Sequence, residues 1–194
     1  MLHSLAEKIA VFLFDEKDKY PLEIYTYGME LLISSILETV ILLILGILLN
    51  KFIETLIFIF AFSAIRFFTG GYHAKTYSGC AIVTVFVYLF TLSCYEILWK
   101  YLSDYLICIY TLVLLISLLL IVKFAPIENV GKSIENKQKI KRISVIVLIT
   151  EFVLMFTGLS VDFHCFFVIL PTLFSVDVLM LIEIIGKRGD KNEY

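Results

Sequence analysis

The chain has 194 residues, of which 60% are hydrophobic, 15% aromatic and only 18% charged, with a formal net charge of -2. A soluble domain of this size carries about a quarter charged residues, and phosphate recognition needs a basic face. The composition therefore argues against a soluble domain and against nucleic acid as a partner, and the clustering of charge between long apolar runs points to lipid as the solvent.

The first stretch, MLHSLAEKIAVFLFDEKDKY, places Leu2, Leu5, Ile9 and Phe12 at helical spacing, with Glu7, Lys8 and Asp15 off that stripe. It has neither the charged n-region nor the small-residue cleavage site of a signal peptide. The pattern predicts an amphipathic helix in the membrane interface over residues 1–20. Pro21 then opens the first span, where a missing N–H costs little.

Six apolar segments follow, each near the roughly 20 residues that cross a hydrocarbon core. They are Leu22–Leu49, Phe52–Phe68, Tyr77–Leu98, Leu102–Phe124, Ile143–Leu159 and Val161–Ile185. Helices are the expected form, because backbone polar groups in lipid must be satisfied within the segment or by barrel closure. The alternation of a membrane β-barrel is absent. The predicted fold is all-α and polytopic, with about six transmembrane helices in one membrane-embedded domain. Residues 22–185 form the spans and 186–194 a cytoplasmic tail.

Orientation follows from the lysines and arginines of the short loops. With the N-terminus inside, 14 of the 16 cations face the cytoplasm, and only Lys51 and Lys100 face out. Both termini, and the segment joining the second and third spans, are predicted to be cytoplasmic. The longest polar stretch, Ala125–Arg142, reads as a solvated positive-inside loop or as a docking surface for an acidic partner or anionic lipid.

Polar groups within spans are costly and mark candidate sites. Glu30 lies about two turns into the first span, Arg66 at the cytoplasmic end of the second and Cys80 near the start of the third. His73 occupies the connecting loop in RFFTGGYHAKTYSGC, Arg66–Cys80. At about 1.5 Å per residue, Glu38 lies roughly 12 Å deeper than Glu30 and is predicted to fall outside that cluster. Glu151 and Asp177 read as helix–helix hydrogen-bonding or snorkelling groups, with ion transit as the alternative. Cys94 and Cys108 read as packing residues. His164 and Cys165 are chain neighbours and face apart on a helix. No Cys/His spacing matches a structural zinc site.

On one continuous helix, His73 and Cys80 would be separated by about 10.5 Å along the axis, whereas a nucleophile and its base need roughly 3 Å. Gly70 and Gly71 permit backbone angles closed to other residues, so His73 can sit on a loop folded back over the third span. That geometry requires the span to begin after residue 75. A glycine turn with a snorkelling arginine and incidental His and Cys is the alternative that spacing alone leaves open.

The ordered set Arg66, Gly70-Gly71, His73-Ala74 and Cys80 resembles the motif of the AgrB family, the accessory gene regulator B proteins of Gram-positive bacteria. YGME, Tyr27–Glu30, resembles a second family segment, and FAPIENVGKSI resembles its Ala-Pro loop, departing at Ser133 where the family pattern has proline. The resemblance implies a membrane-embedded cysteine endopeptidase that processes an AgrD-like signalling propeptide in quorum sensing. It implies His73 as general base and Cys80 as nucleophile, with Arg66, Gly71 and Glu30 as supporting residues. It implies a Cys80 thioester, thiolactone or lactone closure, no metal or other cofactor, and a homodimer embedded in lipid. A small transporter or peptide exporter using Glu38, Glu151 and Asp177 is the alternative from another class. A non-catalytic membrane subunit docking through residues 125–142 is a third.

Overall fold

The computed structural model describes residues 2–14, 21–72, 74, 76–102, 105–127, 136–160 and 164–190. These form α1 (Leu2–Leu13), α2 (Leu22–Leu48), α3 (Phe52–Thr69), α4 (Tyr77–Leu102), α5 (Leu106–Phe124) and α6 (Lys137–Ser160). A short 3-10 turn (His164–Val168) then leads into α7 (Ile169–Asp190), and the described residues contain no strand. The protein is a polytopic all-α membrane protein. On length and apolar composition, α2, α3, α4 and the helical stretch His164–Gly186 suffice to cross a bilayer, and α5 contributes a shorter apolar stretch, Cys108–Phe124.

The amphipathic helix forms where the leucine spacing predicts it, but a different face packs inward. Ala6 and Ala10 are fully buried, whereas Leu5 and Phe12 are exposed. Residues four apart share a helix face, and two alanines there let α1 approach α2 closely. The larger apolar side chains are left pointing outward, as suits a helix bathed in interfacial lipid. Phe14 stacks on Tyr25 at 3.9 Å between ring centroids and ties the end of α1 to α2.

A tight turn joins α2 to α3. The Lys51 N–H donates to the Gly46 carbonyl at 2.8 Å, and Asn50 takes φ 56°, a left-handed conformation that asparagine tolerates. This return makes the two helices antiparallel neighbours at close range. A Cβ on Gly46 would lie 2.2 Å from Thr55 Oγ1, so the approach depends on glycine. Thr55 and Tyr88 share a buried hydroxyl hydrogen bond of 2.6 Å, which satisfies both groups where water is absent.

The core centres on α7, which packs against α3, α4 and α5. Its Ile169, Leu170, Leu173 and Met180 are almost completely buried. Several polar residues in this core have partners: Thr91 with Ser175 at 3.2 Å, Ser117 donating to Asp177 at 2.6 Å, and Thr172 back to the Val168 carbonyl at 2.7 Å. Outward positions carry large apolar side chains instead, such as Phe60 (72% exposed) and Phe86 (70% exposed). On a membrane protein this is the lipid-facing surface.

Several expected boundaries move: α4 runs past Leu98 to Leu102, and α5 begins at Leu106 rather than Leu102. The sequence predicts the fifth span from Ile143, directly after a polar loop ending at Arg142, yet α6 begins at Lys137. Lys, Gln and Arg are good helix formers, so the helix extends past the hydrocarbon edge through its cationic residues. Residues 186–190, expected as tail, likewise continue α7. The rest of the polar loop, 128–135, which includes Ser133, lies outside the described residues.

Candidate functional site

The site is built from three helix ends and a glycine loop. On α2, every fourth residue from Thr26 through Glu30, Ser34, Leu42 to Gly46 is buried, and Glu38, on the same row, is half-buried. This row, which carries α2's two central carboxyls, is the inner face of an otherwise apolar helix. Arg66 comes from the last turn of α3. Cys80 and Thr84 come from the first two turns of α4, whose start is capped by Thr76 Oγ1 accepting from the Gly79 N–H at 3.1 Å.

The loop between α3 and α4 is shaped by its glycines. Gly70 has φ 75° and Gly71 φ 141°, a range that side chains rarely adopt. A Cβ on Gly70 would come within 2.8 Å of the Ile127 carbonyl oxygen. The Ile127 N–H donates to the Thr69 carbonyl at 3.0 Å and the Tyr72 N–H to the Leu179 carbonyl at 3.3 Å. The Ala-Pro segment after α5 and the middle of α7 thus hold the loop from two sides. Arg66 holds it from a third, donating from Nη2 to the Tyr72 carbonyl at 2.5 Å, with its guanidinium over the Phe62 ring.

Beneath this loop lies a cavity of about 870 Å³ lined by Glu38, Arg66, Cys80 and Thr84 together with Gly70, Ala74, Tyr77, Phe67 and Phe68. Glu38 lies near the Cys80 thiol and the Thr84 hydroxyl on this wall, and the Arg66 charge acts on both Glu38 and Cys80. Phe67, Phe68 and Tyr77 form the apolar part of its wall.

The requirement that the third span begin after residue 75 is met: Gly70, Gly71, Tyr72, Ala74 and Thr76 are outside any helix, and α4 starts at Tyr77. His73 itself lies outside the described residues, between Tyr72 and the cavity-lining Ala74. Arg66 and Cys80 are brought together. Glu30 is not at the cavity wall but accepts from Tyr77 Oη at 2.6 Å and pairs with His3 Nδ1, linking α1, α2 and α4.

Glu38 corrects the expectation that it lies too deep. Depth along α2 was reckoned between Cα positions, but helical side chains tilt toward the N-terminus, and α2 and α4 run parallel. Glu38 therefore reaches back toward the level of Cys80 while Glu30 meets Tyr77, one turn earlier on α4. The signal that finds it is the four-residue polar row, which pairs Glu38 with Glu30 on one face.

Elsewhere, Asp177 has its Ser117 partner as expected of a helix–helix group. Glu151, only 4% exposed, differs, since neither carboxyl oxygen has a hydrogen-bond partner. The Trp99 ring packs at a tilt against His164, with 4.1 Å between ring centroids, next to Cys165. Among the described residues, no group of three or more His, Cys, Asp or Glu side chains is placed to hold a metal ion.

These features define a class: a multi-span helical membrane protein with a thiol, a carboxyl and a guanidinium facing one cavity under a glycine loop. Within that class the chain belongs to the AgrB family, accessory gene regulator B, which it matches over residues 6–184. It is similar to AgrB-like protein 2 of Clostridium perfringens strain 13, at 28% identity over 144 residues, 71% of this chain and 64% of that protein. It is also similar to an AgrB-like protein of C. perfringens strain SM101, at 27% identity over 149 residues with the same coverage. The match thus spans just under two thirds of the length of these curated relatives. No solved structure matches the chain.

Proposed function

We propose that the chain is a membrane-embedded cysteine endopeptidase that removes the C-terminal tail of an AgrD-like signalling propeptide, from the cytoplasmic face of the cell membrane. The observation that carries this reading is the position of Cys80. Its thiol opens on a cavity roofed by the loop that bears His73, in a chain whose family match covers both residues.

In this reading His73 takes the proton from Cys80 Sγ, and the thiolate attacks the scissile carbonyl carbon. The tetrahedral intermediate collapses, the C–N bond breaks, and the leaving amine takes the proton from His73. The remaining propeptide stays on Cys80 as a thioester. A thiol or hydroxyl within the propeptide then attacks that thioester, closing a thiolactone or lactone and returning the proton to Cys80. Exchange of one thioester for another is nearly balanced in energy, so water is the competitor to exclude. Phe67, Phe68 and Tyr77 supply an apolar wall for that purpose. Arg66 fixes the loop through the Tyr72 carbonyl, Gly71 gives the loop its turn, and Glu30 steadies the start of α4 through Tyr77. The protein works in lipid, as a homodimer. Glu151 and Asp177 do not line the cavity, so the three acidic residues of a transport path are not assembled around it.

The test is to incubate the protein in lipid vesicles with a synthetic propeptide and follow cleavage and acyl adducts by mass spectrometry. Cys80→Ser is expected to abolish both. His73→Ala is expected to lower cleavage by about 10²-fold or more, the usual contribution of a general base. Full cleavage by both variants overturns the proposal.

A further inference from the structure

Glu38 has no part in the reaction as written, yet it lines the same cavity as the reacting sulfur. It sits on the polar row of α2 and lines the same cavity as Cys80 and, one turn further along α4, Thr84. Arg66 is the nearby cation for both Glu38 and Cys80. A carboxylate accepts hydrogen bonds and donates none, so a Cys80 S–H turned toward Glu38 leaves the sulfur lone pairs free to face the rest of the cavity. A carboxylate beside a thiol also resists formation of a second anion at that spot, because like charges repel at short range. A single guanidinium neutralises one of the two groups, not both.

We propose that Glu38 is a positioning residue of the site, aiming the Cys80 thiol toward the cavity and keeping it unreactive until substrate and base are in place. The inference rests on the reading of Cys80 as nucleophile. Its role has two parts with opposite signs. As an orienting acceptor Glu38 favours cleavage, and as a neighbouring charge it keeps the resting thiol unreactive. An enzyme whose thioester must be formed only on a peptide gains from a thiol that stays quiet in the empty cavity.

The opposite signs supply the test. The full chain in lipid vesicles is treated with iodoacetamide near neutral pH, and alkylation of each cysteine is followed by peptide mass spectrometry. The propeptide cleavage rate is measured on the same preparations. In Glu38→Gln, Cys80 is expected to alkylate about tenfold faster, the effect of removing one adjacent like charge. Cleavage is expected to fall about tenfold or more because the nucleophile is no longer aimed. Glu38→Asp keeps the charge but shortens the reach, so alkylation stays slow while cleavage falls. Exposed Cys108 should alkylate at an unchanged rate in both, which reports an intact fold. A purely structural Glu38 would move both readouts down or neither, and either result overturns the proposal, as does a gain in both. If Glu38→Gln fails to insert, the Asp variant decides alone, and unchanged cleavage there overturns the inference. Cys80→Ser separates the two claims: cleavage surviving in that variant sinks the peptidase reading, whereas its loss alongside an unaltered Glu38→Gln sinks only this one.

Discussion

The two sides of the bundle use their polar residues differently. Around α7, polar groups are consumed by packing: Ser175 meets Thr91, Asp177 accepts from Ser117, and the apolar side chains between them are buried almost completely. Around the inner face of α2, polar groups are arranged about empty space, with Glu38, Thr84, Cys80 and Arg66 lining a cavity. On both sides most buried polar groups find partners, Glu151 and the Tyr110 hydroxyl being exceptions. The two sides differ in whether the partners close the structure or leave room for a guest. The difference separates residues that hold the protein together from those that make it act.

Substitutions on the two sides should therefore split into stability and activity effects. The largest expected effect is Leu173→Ala, which empties a nearly fully buried position on α7 and should cost about 2–5 kcal/mol. Thermal unfolding in detergent should show it, with cleavage per folded molecule unchanged. Ser117→Ala should cost about 1–3 kcal/mol by leaving Asp177 without its donor, again with activity per folded molecule preserved. Gly70→Ala should do the reverse. Its left-handed backbone and the nearby Ile127 oxygen make the loop strained by about 1–2 kcal/mol, so cleavage should fall far more than the melting temperature. Equal losses of stability and activity in all three would erase the distinction between the two sides.

The smallest effect concerns the far end of the bundle, away from the cavity. Lys51 is paired with Glu96 and lies 3.5 Å from Glu54. The hydrogen bond to Glu96, helped by the Glu54 charge, raises its amine above the ordinary value of 10.5. A group whose folded pKa is raised contributes stability that is complete below the ordinary value and is lost as pH rises through the folded one. As pH rises above the ordinary lysine value, the native protein should therefore lose melting temperature more steeply than Lys51→Met. Parallel curves would show that the pair contributes nothing.

Much of this was legible in the sequence because lipid imposes long apolar helices, and Gly70-Gly71 announces a break between two of them. The interfacial helix could be read from its leucines, but not the face it buries. Alanine contacts depend on how closely two backbones approach, which no hydrophobic pattern records. Glu38 escaped for a related reason. Rise per residue measures depth along one helix, whereas contact depends on side-chain tilt and on the register of α4 against α2. The start of α4 at Tyr77 was implied by the glycines, and the grip of Ile127 and Leu179 on the loop was not, since both are distant in sequence.

The four-residue row on α2 also acts as a ruler. Each step of four residues advances the face by about 40°, because four residues turn about 400°. The inner face therefore sweeps gradually around the helix, meeting His3 and Tyr77 at Glu30, Cys80 and Thr84 at Glu38, and Thr55 at Gly46. The outer two marks are pinned, one by hydrogen bonds and one by steric contact, and the carboxyl at the middle mark takes its phase from both. One residue inserted between Glu30 and Glu38 would swing that carboxyl by about 100° and aim it out of the cavity. Length along α2 is thus read as an angle at Cys80.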